Sequence, residues 1–113
     1  MNSIGRVCCA ILVAGLVGFH PQDLRAEGFT GADFAGWESG SQDSYIQTSM
    51  TMAGVVLTQT HPDAASCIND WYFAGASLAP RNDEIRETIS QHESAHPAGV
   101  IMAIVLRECG PLN

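Results

Sequence analysis

HPAGVIMAIVLRECGP, residues 96–111, is the stretch whose reading decides the fold. Residues 97–106 are all apolar or glycine, and Cys109 follows three positions later. Proline suits the first turn of a helix, where its missing N–H has no intrahelical partner to lose. Gly110-Pro111 ends the segment. Val100, Ile101, Ile104 and Val105 would also suit a buried strand. The opening proline and the Met102-Ala103 pair favour a helix. One so apolar is expected to be central and packed on most sides.

The cysteine at the end of that run needs a partner. Of four cysteines, Cys8 and Cys9 fall in the first 26 residues, which have the layout of a signal peptide. Arg6 precedes an apolar run over residues 7–19, a polar stretch follows, and Ala26 offers a cleavage site. The run is too short to cross about 30 Å of hydrocarbon as a helix. The expectation is an exported chain, periplasmic or secreted, with one domain over residues 27–113 and no stable membrane insertion once the leader is removed. That domain keeps Cys67 and Cys109. In an oxidising compartment two cysteines most simply pair with each other, and two free buried thiols are the other reading. Forty-two positions separate them. Closing a loop of that length is worth about 4 kcal/mol in the chain-entropy model, a large share of the stability of a domain this small.

The composition is 46% hydrophobic and 15% charged, which suits a globular fold rather than a disordered chain. The formal charge is −7 for the whole chain. In residues 27–113 only Arg81, Arg86 and Arg107 face eleven acids, giving −8. A nucleic-acid partner is excluded on that balance, and anionic lipid would be repelled. A basic partner or plain solubility remain open.

Further helices lie upstream of the apolar one. Thr30 can cap a short turn holding Phe34 and Trp37, with Asp33 three positions on as its capping-box acid. Gly36 and Gly40 keep the turn short, and both aromatics are expected to tuck onto the body. Residues 41–60 read as the longest helix, capped by Ser41 or Asp43, with Tyr45, Ile46, Ser49, Met52, Ala53, Val56 and Leu57 at helical spacing. The opposite face is Gln47, Thr51, Gly54 and Thr58. No charged residue occurs between Asp43 and His61, where an exposed face normally carries charge. Such a face suits close contact with another helix or protein, or burial on both sides within the monomer. His61-Pro62 breaks this helix and starts another over residues 62–73, with Cys67, Ile68, Trp71 and Tyr72 on one face. Residues 74–81 read as a loop. Asn82 reads as the cap of a third helix whose stripe is Ile85, Ile89 and His92. The expected fold is all-α: a small bundle of about four helices closed by one disulfide.

One motif raises the question of catalysis. His92-Glu93-Ser94-Ala95-His96 matches the H-E-x-x-H pattern, in which two histidines four apart on a helix converge on zinc and the glutamate acts as general base. Pro97 pushes His96 out of helical geometry and turns it away from His92. Glu108 is the sole downstream acid and no further histidine follows. A helix C-terminus, where histidine favours the dipole, accounts for the pattern without metal. No G-x-S-x-G nucleophile elbow, phosphate loop or closely spaced cysteine pair is present. The residues therefore favour a binding protein over an enzyme, with no cofactor, no metal and no catalytic set. Gln47, Thr51, Gly54, Thr58, Trp71, Tyr72 and Phe73 are the candidate partner-binding residues. Trp and Tyr are enriched at binding hot spots, although these aromatics serve equally well as core beside the disulfide.

The arrangement resembles the Rap/Tai group of periplasmic immunity proteins and, more broadly, the Hde-type acid chaperone fold. The likeness lies in the leader, the stretch from Phe29 to Phe34, and the helix of small residues led by Tyr45. It continues through Cys67, the acidic Ile-rich segment from Asp83 to His92, and the apolar ending from His96 to Cys109. Trp37 and Ser41 stand where members of the immunity group carry a further cysteine. The resemblance implies a helical fold, homodimerisation, and sequestration of a secreted toxin, or alternatively protection of other proteins in acid. It implies no catalytic residues.

Overall fold

A computed structural model describes residues 28–113. The expected leader over residues 1–26, with Cys8 and Cys9, lies outside them. Among the described residues the chain forms five α-helices and no strand. These are α1 (Gly31–Ala35), α2 (Ser39–Thr60), α3 (Pro62–Ile68), α4 (Leu78–Ser90) and α5 (Pro97–Cys109); a wide π turn, Asn69–Phe73, continues α3. The expected all-α bundle is therefore present, as four longer helices and one short turn of helix.

The punctuation read from the sequence holds at three places. The Thr30 side chain accepts from the Asp33 N–H, and the Asp33 carboxylate accepts from the Thr30 N–H at 3.0 Å, so the capping box opens α1. His61-Pro62 separates α2 from α3, and His96-Pro97 opens α5. Cys67 and Cys109 are joined, with their Cα atoms 5.6 Å apart, tying the end of α5 to α3.

The core gathers one stripe from every helix. Phe34, Ile46, Met50, Leu57, Ile68 and Tyr72 meet Ile85, Ile89, Ile101 and Ile104, all nearly inaccessible. Two buried polar groups are satisfied across helices. Gln42 Nε2 donates to the Phe34 carbonyl at 2.9 Å, at the end of α1, where that carbonyl also accepts from the Trp37 N–H at 3.1 Å. The Tyr72 hydroxyl donates to Asn82 Oδ1 at 2.6 Å.

Several expectations change. α4 begins at Leu78, inside the segment read as a loop, because Pro80 falls in the first turn, where a missing N–H costs nothing. Asn82 is consequently not a cap but a buried acceptor. Neither Ser41 nor Asp43 caps α2, which starts after Glu38 without a side-chain cap. The buried stripe of α2 is Gln42, Ile46, Met50 and Leu57, so Met52 and Val56 point outward rather than inward. His92 is exposed beyond the end of α4 rather than part of its stripe. α5 is not packed on most sides: it buries Val100, Ile101, Ile104 and Val105 but exposes Ala98, Gly99, Ala103 and Leu106. Phe34 is buried as expected, whereas Trp37 remains 42% exposed, stacked on Phe29 with centroids 4.9 Å apart.

Candidate protein-binding face

The outer side of α2 combines exposure with an absence of charge. Met52 and Val55 are each 62% exposed and Val56 is 53% exposed. Large aliphatic side chains this open, side by side on one helix, are unusual for a monomer surface and mark contact sites. The hydroxyls among them offer little to compete. Thr51 Oγ1 donates to the Gln47 carbonyl at 2.8 Å and Thr58 Oγ1 to the Gly54 carbonyl at 2.7 Å, each one turn back on the same helix. Ser49 does the same to Tyr45 at 2.8 Å. With their protons committed to the backbone, Thr51 and Thr58 have no free hydroxyl proton to offer a partner.

α3 packs alongside α2 and makes a shallow groove of about 310 Å³ along one edge of this face, lined by Val55 but not by Met52 or Val56. Thr51, Gly54, Val55 and Thr58 form one wall, and Ala65, Asn69 and Phe73 help form the other. Three of the four candidate residues on α2 thus meet one of the three candidate aromatics. Gln47 is exposed outside the groove. Tyr72 must be withdrawn as a contact residue: it is fully buried, with its hydroxyl bound to Asn82. Burial, with a contribution from Asp43, pushes its phenol up to about 12, against the opposing effect of the Asn82 hydrogen bond. Trp71 lies half-buried beneath Arg81, whose guanidinium carbon is 4.6 Å from its ring centroid. Arg81 Nε also donates to the Trp71 carbonyl at 3.0 Å, so that side chain is held rather than free to dock. Sequence spacing does not single out Met52, Val55 and Val56 for contact: Val55 falls on neither expected face, and the other two fall on the expected core stripe. The uncharged run is the signal, and it carries no helix phase.

A second groove of about 400 Å³ lies between α2 and α5, with Tyr45, Met52, Ala53, Ala98, Ile101 and Met102 in its lining. It shares Met52 with the exposed face. Burial raises the Tyr45 phenol, against the effects of hydrogen bonds with the Ala98 backbone and Ser49.

The H-E-x-x-H residues occupy the turn between α4 and α5 and are not helical. Both histidines contribute to the lining of one groove of about 440 Å³ with Thr88, Gly99, Ala103 and Arg107, and the His96 ring packs edge-on against Phe29 with centroids 5.6 Å apart. Their ring nitrogens have local work. His92 Nδ1 donates to the Thr88 carbonyl at 2.9 Å, and His96 Nδ1 accepts from the Ala98 N–H at 3.1 Å. The glutamate contributes through its backbone, as the Glu93 carbonyl accepts from the Ala32 N–H at 3.0 Å. No group of three His, Cys, Asp or Glu side chains that could hold a metal occurs among the described residues.

The chain matches no family model, no curated protein and no solved structure.

Proposed function

We propose that this protein acts by binding, covering the α2 face with a protein partner in the periplasm or outside the cell. The finer reading is the immunity type, in which the partner is a secreted toxin held inactive. One observation carries the proposal. Between Asp43 and His61, α2 has no charged side chain, yet Met52, Val55 and Val56 stand open to solvent. A face that avoids charge without being buried in its own fold suits burial in another, because desolvating it strands no ion. The committed hydroxyls of Thr51 and Thr58 strengthen the point.

The test is affinity purification of the exported protein with bound proteins identified by mass spectrometry, repeated with Val55→Lys and Val56→Lys together. Both positions are exposed, so thermal unfolding should be nearly unchanged while the co-purifying partner is lost. Retention of the same partner by the double variant would refute the assignment of this face. Toxin inhibition by the purified protein, lost in the same variant, tests the immunity reading.

A further inference from the structure

We infer that Met52 is an oxidation switch on the α2 face: conversion of its thioether to the sulfoxide by a peroxide or a hypohalous acid stops the partner from binding. This rests on the reading of α2 as the binding face and adds how binding there is controlled.

Position is the first part of the argument. Val55 and Val56 stand three and four residues beyond Met52, so helical spacing sets both against it. Met52 therefore occupies the middle of the apolar patch. It also borders the α2–α5 groove, where Met102 is in the same lining. At 62% exposure it is open to an oxidant in solution.

The other sulfurs are withdrawn. Of the four methionines, Met1 lies outside the described residues. Met50 is fully buried in the core and Met102 is half-buried. A thiolate would ordinarily be attacked first, but Cys67 and Cys109 are already joined to each other. Among the described residues Met52 is thus the one reduced sulfur standing open to solvent.

The chemistry is an oxygen-atom transfer. The sulfur lone pair attacks one oxygen of hydrogen peroxide, the O–O bond breaks, and the other oxygen leaves as water once a proton has moved to it. Sulfur loses two electrons and the peroxide gains them. A flexible apolar side chain becomes a polar one whose new oxygen is held by water. Ser49, one turn back, cannot take the place of that water, because its hydroxyl already donates to the Tyr45 carbonyl at 2.8 Å. Seating an apolar partner would strip the water from the sulfoxide at a cost the thioether does not impose. The fold itself is spared, since Met52 lies outside the core. Methionine sulfoxide reductases reduce the product, so the face can be restored.

The test treats the folded protein with hydrogen peroxide and maps the oxidised peptides by mass spectrometry. Met52 should be oxidised several-fold faster than Met102, and Met50 should stay reduced until urea unfolds the chain. Retention on a phenyl column should fall in the treated parent with the circular dichroism spectrum unaltered. Treated Met52→Leu should keep the retention of untreated Met52→Leu, while Met102→Leu should fall as the parent does. The partner identified by affinity purification should bind the treated parent about tenfold more weakly or worse. Treated Met52→Leu should hold it as well as untreated Met52→Leu, and Met52→Gln should lose it without any oxidant.

Equal oxidation of Met52 and Met102, or an equal fall in column retention by Met52→Leu, would overturn the inference. If protein oxidised at Met52 keeps the partner while the double valine variant releases it, the binding face stands and only the switch fails. If the valine variant keeps the partner too, the face is misassigned and the switch falls with it.

Discussion

Alanine at position 31 should destabilise this protein, although a glycine-to-alanine change inside a helix ordinarily does the opposite. Glycine costs about 0.5–1 kcal/mol relative to alanine within helices. The backbone at Gly31 needs no glycine, since its φ is not positive. The reason for glycine is proximity. A Cβ there would stand 2.8 Å from the His92 carbonyl oxygen, 3.0 Å from that of Ile89 and 3.1 Å from the Glu93 Cα. All three are backbone atoms, so no side-chain rotation relieves the overlap. The same approach lets the Gly31 N–H donate to the Ala95 carbonyl at 2.9 Å and the Ala32 N–H to Glu93 at 3.0 Å. Forcing α1 away costs about 1–3 kcal/mol for overpacking, with about 0.5–1.5 kcal/mol more for each hydrogen bond that lengthens. The net loss is about 2–4 kcal/mol, or roughly 10–25 °C in Tm for a domain of this size. Thermal and urea unfolding followed by circular dichroism measure it, with Gly54→Ala as the matched control. A Cβ at Gly54 meets nothing within 4 Å, so that variant should gain about 0.5–1 kcal/mol. Gly31→Ala melting at or above the parent temperature, or Gly54→Ala falling as far as Gly31→Ala, would refute the reasoning.

Other outcomes are expected from the same packing. Replacing Cys67 and Cys109 together with serine should cost about 2–4 kcal/mol in urea unfolding, and a reductant should lower the parent to the same stability. Tyr72→Phe should cost about 1–3 kcal/mol at neutral pH by leaving Asn82 Oδ1 unpaired in the core. It should also flatten the alkaline limb of the stability curve. The folded phenol holds its proton to about 12 against an ordinary 10.0, so its contribution is full below pH 10 and is lost as the pH climbs to about 12. His96→Asp should raise stability by about 0.5–1 kcal/mol, since a carboxylate caps a helix start better than an imidazole. Metal analysis of the purified protein should find no stoichiometric zinc, and His92→Ala should leave that result unchanged.

The elements of this fold were legible where local chemistry marks them. Two His-Pro pairs, the Thr30–Asp33 box and the cysteine arithmetic each act over a few residues or come from counting, and each is realised. The rotation of α2 was not legible. Phase is read from contrast between charged and apolar faces, and α2 has no charge between Asp43 and His61, so Met50 and Met52, or Leu57 and Val56, are interchangeable in the pattern. The exposed valines were hidden for the same reason. The start of α4 was obscured by Pro80, which breaks a helix interior but not a first turn. The role of Gly31 and the Tyr72–Asn82 pair depend on contacts between elements distant along the chain, to which no local pattern refers.

The wide turn over Asn69–Phe73 has a consequence for how sequences of this kind can change length. A π turn spans one residue more than the α-helical turn it replaces. Here that surplus falls between Ile68, fixed in the core, and Phe73, placed on the groove. Deleting one residue there, Asp70 for instance, would let α-helical winding close the turn without its surplus, and the residues after it would keep their phase relative to Ile68. The same deletion inside α2, which has no residue to spare, would turn everything beyond it by about 100°. A single-codon deletion should therefore be tolerated in the wide turn without replacements at Tyr72 and Asn82, and not in the long helix.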